Sequence, residues 1–239
     1  MAWGEPIAMI TGTPIITTAM TDGIMSTKKP LLTVLQWLSP AFPIGSFAYS
    51  HGLEWAIEAG HVKDEPTLHN WLQDLIALGS GRSDAILVSL AHCAGDRAAL
   101  KSLNDLALAL APSSERRTET VLQGQAFCQT LRDVWNYDIS GLCYPVAVGY
   151  GAFCAGLDRA DITAAYLHAY VANLISAAVR LVPLGQTQGQ RILLGLMPDI
   201  LEVGTAALSA SEEALTSACF LSDVASMRHE TLKTRIFKT

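Results

Sequence analysis

The chain has 239 residues, half of them hydrophobic and only 16% charged, with a net charge of −6 at pH 7. That length suits one domain or two small ones, with roughly 70% of the unfolded surface hidden on folding. The acidic balance, with no basic stripe interleaved with aromatics, excludes a general nucleic-acid binder, and five widely spaced cysteines without a C-x-x-C exclude a disulfide framework or zinc knuckle, pointing to buried thiols in a reducing compartment.

Residues 1–29 show no clear periodicity and no basic segment ahead of a compact apolar run, so they do not read as a signal peptide. A second start-like segment, MSTKKPLLTVLQWL, begins at Met25. The expected organisation is therefore a disordered or misannotated N-terminal extension over 1–29, an all-α core domain over 30–225 and a basic docking tail over 226–239. From Leu31 the periodicity is helical nearly everywhere. Leu31, Leu32, Leu35 and Leu38 give a first helix that Pro40 and Pro43 stop. A second helix is predicted over 47–59, with His51, Glu54 and Glu58 on a solvated face and Tyr49, Leu53, Ala56 and Ile57 on the other. Pro66 opens a third over 66–78 that buries Leu68, Trp71, Leu72 and Leu75. Helices over 83–94, 97–110 and 114–135 follow. The run ISGLCY (139–144) has no second strand to pair with and reads as a loop.

Pro145 opens the next helix, and Asp161 is the expected N-cap of a long one reaching Leu181. Pro183 and Gly185 end it. Thr187 starts another, divided by Pro198; Ser211 and Ser222 start the last two. Residues 139–157 and 162–179 carry no Asp, Glu, Lys or Arg and approach the length of a bilayer span. Glycines and a proline in the first, and alanines with His168 and Asn173 in the second, favour buried central helices over a membrane hairpin. The predicted fold is all-α, a single-domain helical bundle of about ten helices with no sheet.

The candidate chemistry is sparse. His51 and Glu54 form H-x-x-E, a spacing that suits a metal site or an acid/base pair, but no second ligand pair stands at helical spacing in an obvious partner segment. G-x-S-x-G is absent, and no parallel sheet exists to hold a nucleophile elbow. GSGRSD (79–84) and GYGAFCAG (149–156) miss the phosphate-loop and dinucleotide spacings and read as close helix packing. Arg180 follows a long uncharged stretch and is expected to be a buried pin between helices. The sharpest charge feature is SMRHETLKTRIFKT (226–239). It carries Arg228, Lys233, Arg235 and Lys238 against Glu230, so the tail is +3 on a body of −9. Leu232, Ile236 and Phe237 give it apolar anchors. Such a segment either folds back on its own acidic body or docks into a partner.

Three stretches, SPAFPIGSFAYSHGLE (39–54), SAAVRLVPLGQTQGQRIL (176–193) and SDVASMRHETLKTRIFK (222–238), together resemble the signature regions of the UreF family of urease accessory proteins, and the likeness runs from about Leu31 to the end of the chain. The resemblance implies an all-α, dimeric, cytoplasmic, non-catalytic chaperone. Such a protein bridges UreD (UreH in some organisms) and the GTPase UreG on apo-urease during nickel insertion. Nickel and GTP are then handled by the complex, with no cofactor or metal bound by this chain. The family's UreG-recruiting tyrosine and arginine match Tyr49 and Arg235. Pro40, Pro43 and Gly45 are then expected to hold a rigid turn that presents Tyr49, Ser50 and His51 as a recognition surface. Arg228, His229, Leu232, Lys233, Ile236 and Phe237 form the UreD-docking tail, and Arg180 and Gly185 are structural. The competing readings are an unrelated helical adaptor, which UreD co-purification separates from a scaffold, and a small helical enzyme built on His51 and Glu54.

Overall fold

The computed structural model describes residues 29–239, and the expected N-terminal extension lies outside them save Lys29. A helix over 29–37 (α1) precedes a turn-rich loop containing Pro40 and Pro43 and a single 3₁₀ turn, Ser46–Ala48. The next two helices are α2 (Leu53–Glu58) and α3 (Glu65–Ala77). They are followed by α4 (Ser80–His92), α5 (Arg97–Ala109), α6 (Ser114–Trp135), α7 (Tyr144–Ala155) and α8 (Arg159–Leu181). The chain closes with α9 (Gln186–Gly195), α10 (Met197–Ala207) and α11 (Phe220–His229). Among the described residues there is no strand, and the fold is the expected all-α bundle.

The core is built where α4, α6, α7 and α8 meet. Glycine permits the closest approaches. A Cβ at Gly149 of α7 would overlap the Val88 carbonyl of α4, and one at Gly124 of α6 would overlap the Leu142 carbonyl. Trp37 at the end of α1 is fully buried and meets Phe127 and Trp135 edge-on at 5.5 and 5.7 Å between ring centroids. Phe42 joins them 5.3 Å from Phe127, so the Pro40–Pro43 loop is pinned to the core by an aromatic cluster. α8 is long and apolar enough to cross a membrane by length and composition alone, yet 56% of its apolar stretch is buried inside the fold. It packs against α4, α7, α9 and α10, which accounts for the lack of charge over 162–179.

Several boundaries differ from the sequence expectation. Asp158, not Asp161, caps α8, its carboxylate accepting the Asp161 N–H at 3.0 Å. Ser211 leads only into a 3₁₀ turn, Glu212–Ala214, and the last helix starts at Phe220, ahead of Ser222. The largest difference is the second helix. It does not begin near Phe47, because His51 and Gly52 both hold left-handed backbone, with φ of 57° and 78°. Helix starts only at Leu53, so His51 and Glu54 do not share a helical face. Gly52 is required there: besides its positive φ, an added Cβ would stand 2.6 Å from the Ser226 amide of α11.

Candidate functional site

The three stretches that carried the resemblance meet in space. The Lys238 amide donates to the Ala48 carbonyl at 2.8 Å, and the Ser50 amide donates to the Thr239 carbonyl at 2.8 Å. This lays the last residues alongside the 48–50 turn and buries Phe237. Arg180 of α8 spans both. Its Nη2 donates to the Phe47 carbonyl at 3.0 Å, and its guanidinium sits 4.5 Å above the centre of the Phe237 ring. Arg180 is the expected pin, but an exposed one, with Nε also returning to the Ser176 carbonyl of its own helix.

Under this junction lie two ionic clusters. In the first, Glu119 of α6 is fully buried and ringed by donors. His51 Nε2 approaches at 2.7 Å, Gln123 Nε2 donates at 3.1 Å and the Thr239 hydroxyl donates at 2.7 Å. Arg116, one turn back on α6, forms a close ion pair with the same carboxylate. Burial alone would push the Glu119 carboxyl up, but Arg116, with His51, outweighs it and holds it down at about 2. Burial, reinforced by Arg116, lowers His51 against the pull of Glu119, so the ring is neutral at pH 7. Asp84 of α4 lies nearby and accepts the Tyr166 hydroxyl at 2.8 Å. Burial raises its carboxyl to about 6, against the opposing pull of Arg116 and that hydrogen bond. A cavity of about 550 Å³ adjoins the cluster, lined among others by Trp37, His51, Asp84, Arg116 and Glu119.

In the second cluster, His229 at the end of α11 has no exposed surface. Its Nδ1 lies 2.7 Å from a Glu115 oxygen and its Nε2 lies 3.1 Å from a Glu54 oxygen. Glu54 also accepts the backbone N–H groups of Ile236 at 2.7 Å and Phe237 at 3.0 Å. The other Glu115 oxygen pairs closely with Arg235. Beside it, Glu230 accepts the Ser114 and Glu115 amides at 2.7 and 3.2 Å, capping the N-terminus of α6.

His51 and Glu54 were expected on a solvated face; both are buried, and each serves a different cluster. Tyr49, Ser50 and His51 are likewise buried, so the 49–51 turn does not present these side chains outward. The Lys238 ammonium instead stands 6.0 Å over the Tyr49 ring. The Ser50 hydroxyl donates to the Thr239 carbonyl, and His51 faces Glu119, so the two form no nucleophile–base pair. Within the tail, His229 and Phe237 point inward. Arg228, Lys233, Arg235 and Ile236 are exposed, and Leu232 is half-buried. Pro40, Pro43 and Gly45 form the turn as expected, Gly45 with a φ of 71°. Gly185 precedes α9, its amide donating to the Gln188 side chain at 2.8 Å. Among the described residues no group of three His, Cys, Asp or Glu side chains is arranged to hold a metal ion.

Glu115, Arg116, Glu119, Asp84 and Thr239 escaped the sequence reading. The only local signal in SERRTETVLQGQ (114–125) is its four charges, Glu115, Arg116, Arg117 and Glu119, which by themselves suit a solvated start of the helix.

The UreF family model matches residues 62–197, from the loop before α3 to the start of α10. A protein named urease accessory protein UreF from Ruegeria pomeroyi is 50% identical over 213 residues, covering 89% of this chain and 98% of its own. One from Cereibacter sphaeroides (strain ATCC 17023) is 51% identical over 209 residues, covering 87% and 98%. One from Roseobacter denitrificans is 45% identical over 222 residues, covering 93% and 100%. With relatives at this identity matched over nearly their whole length, the chain belongs to the UreF family of urease accessory proteins.

Proposed function

We propose that this chain is a non-catalytic, cytoplasmic scaffold, working as a dimer, that bridges UreD (UreH) and the GTPase UreG on apo-urease for GTP-dependent nickel insertion. Nickel and GTP belong to the assembly, and this chain binds neither as a resident cofactor. The observation that supports this reading best is the convergence of the three signature stretches, far apart in sequence, on one surface patch through Arg180, Phe47 and Phe237. A surface assembled from three segments far apart in the sequence suits recognition by another protein better than chemistry on a small molecule.

The buried residues divide the roles. Tyr49, Ser50, His51, His229 and Phe237 support the surface from beneath. Arg228, Leu232, Lys233 and Ile236 meet UreD, and Arg235, whose side chain is 41% exposed beside Glu115, meets UreG. Rim charges of this kind govern encounter and orientation more than affinity. The double charge reversal Arg228→Glu/Lys233→Glu tests the docking half. UreD captured by the tagged chain is expected to fall at least about tenfold with the helical circular dichroism unchanged. Capture at the wild-type level would remove the tail from the UreD interface.

A further inference from the structure

We propose that the cavity between α1, α6 and α8 is a binding site for a small primary alkylammonium ion, with the Asp84 carboxylate as its counter-ion and the rings of Tyr144 and Tyr166 beside its charge.

The hydrogen-bond count of the wall carries this. Asp84 uses one oxygen, Oδ2, to accept the Tyr166 hydroxyl at 2.8 Å, and among the described residues nothing donates to its Oδ1. The Tyr144 hydroxyl, on the same wall, has no partner among them either, whereas that of Tyr170 is engaged with Ser80 at 2.7 Å. His51, only 8% exposed, lines the same cavity. Its Nε2 stands 2.7 Å from a Glu119 oxygen, and a carboxylate only accepts, so the neutral ring carries its proton there. Its Nδ1 is then a lone pair, buried and without a donor. A carboxylate oxygen, a phenol oxygen and an imidazole nitrogen thus lack donors around one space, and an ammonium group brings three.

Charge and shape agree with the count. The cavity wall holds two carboxylates, Asp84 and Glu119, against one guanidinium, Arg116, and Arg116 pairs closely with Glu119. Asp84 is left without an ion pair of its own, and the burial that raises its carboxyl opposes its charge. A cation in the cavity would relieve that opposition. The Tyr144 and Tyr166 rings, 5.5 Å apart between centroids, offer a cation their faces and edges beside this carboxylate. A metal ion suits the site less well, because among the described residues no three His, Cys, Asp or Glu side chains are grouped to hold one. The rest of the wall is apolar, with Val34, Leu38, Ile44 and Ala169, and it reaches the surface at the exposed Leu35 and Phe47. A volume of about 550 Å³ suits a small ligand with a short hydrocarbon body behind its charged head.

The test is calorimetric titration of the full chain with n-hexylammonium chloride at about pH 8, where the Asp84 carboxyl is ionised. Saturable binding at one site is expected, with a Kd of about 1 mM or tighter. The uncharged 1-hexanol, of the same length, should bind at least about tenfold more weakly. Asp84→Asn, which keeps an acceptor for Tyr166, should weaken hexylammonium binding at least about tenfold. Ala169→Leu, which fills the cavity without touching Asp84, should weaken it as much and so locates the site. If Asp84→Asn fails to fold, Tyr144→Phe, which deletes one oxygen, should weaken binding by about threefold or more. Absence of saturation up to about 10 mM would overturn the proposal, as would 1-hexanol binding as tightly as the amine, or binding that neither substitution in the wall weakens. UreD and UreG capture enters none of these readouts, so failure here leaves the scaffold reading standing.

Discussion

Glu119→Gln isolates the buried cluster beneath the C-terminal residues. The substitution keeps the volume and an acceptor for Thr239 but removes the charge. Arg116, whose side chain is 10% exposed, then loses the anion that neutralises it. Removing one partner of a buried ion pair costs about 3–5 kcal/mol, because the other charge stays buried and unpaired. Against a total stability on the order of 5–15 kcal/mol, that is a large fraction. Urea unfolding followed by circular dichroism should show the midpoint falling by about 1–2 M at unchanged slope. The second substitution, Arg116→Met on top of Glu119→Gln, should recover much of the loss, since an apolar side chain of similar length leaves no orphan charge. A midpoint shift below about 0.5 M for the single variant would show that Arg116 finds solvent or another anion, and the cluster would then not carry the weight assigned to it.

Two other substitutions have definite signs. Asp84 has its carboxyl raised to about 6 from an ordinary 3.8, so it takes up a proton more readily in the folded state. It therefore penalises the fold above about pH 6, and the penalty vanishes as pH falls through 3.8. Asp84→Asn, which retains an acceptor for Tyr166, should raise stability by on the order of 1–2 kcal/mol at pH 8 and change it little near pH 4; a loss at pH 8 would show that its attraction to Arg116 matters more than its burial. Glu119 acts oppositely, contributing stability above its ordinary 4.5 that is lost as pH falls towards 2. Gly52→Ala combines a strained φ of 78° with a Cβ 2.6 Å from the Ser226 amide, and should cost more than about 2 kcal/mol by parting α2 from α11 in the same denaturation assay. A near-neutral result would mean that α11 is free to shift.

The helical architecture is legible in the sequence because most of the chain obeys one period. α3, α5 and α6 begin within a residue of their predicted starts, each opened by a local signal: Asp64 with Pro66, Asp96, and Ser113. The 47–59 segment is where local reading fails. Its apolar spacing suits a helix, but contact with α11 selects Gly52 and a left-handed His51, and that contact joins residues about 175 positions apart. The same distance hides the site. His51, Glu54, Glu119 and Arg116 look like solvated charges one at a time, and only the packing of distant segments, α8 and the returning tail among them, buries them. The basic tail itself is visible from composition, and its two alternatives, folding back or docking out, divide by side chain: Phe237 and His229 turn inward, while Arg228, Lys233, Arg235 and Ile236 remain outside.

The most direct measurement of the proposed role is UreG recruitment by the purified complex of this chain with UreD, comparing wild type with Arg235→Ala. Arg235 pairs with Glu115 through a side chain 41% exposed, so its loss should leave the fold and the UreD contact in place. The scaffold reading predicts that both forms co-elute with UreD and that only the wild type retains UreG. Equal retention of UreG by both forms would contradict it, and would move the recognition surface away from the place where the 47–50 turn and the C-terminal residues meet.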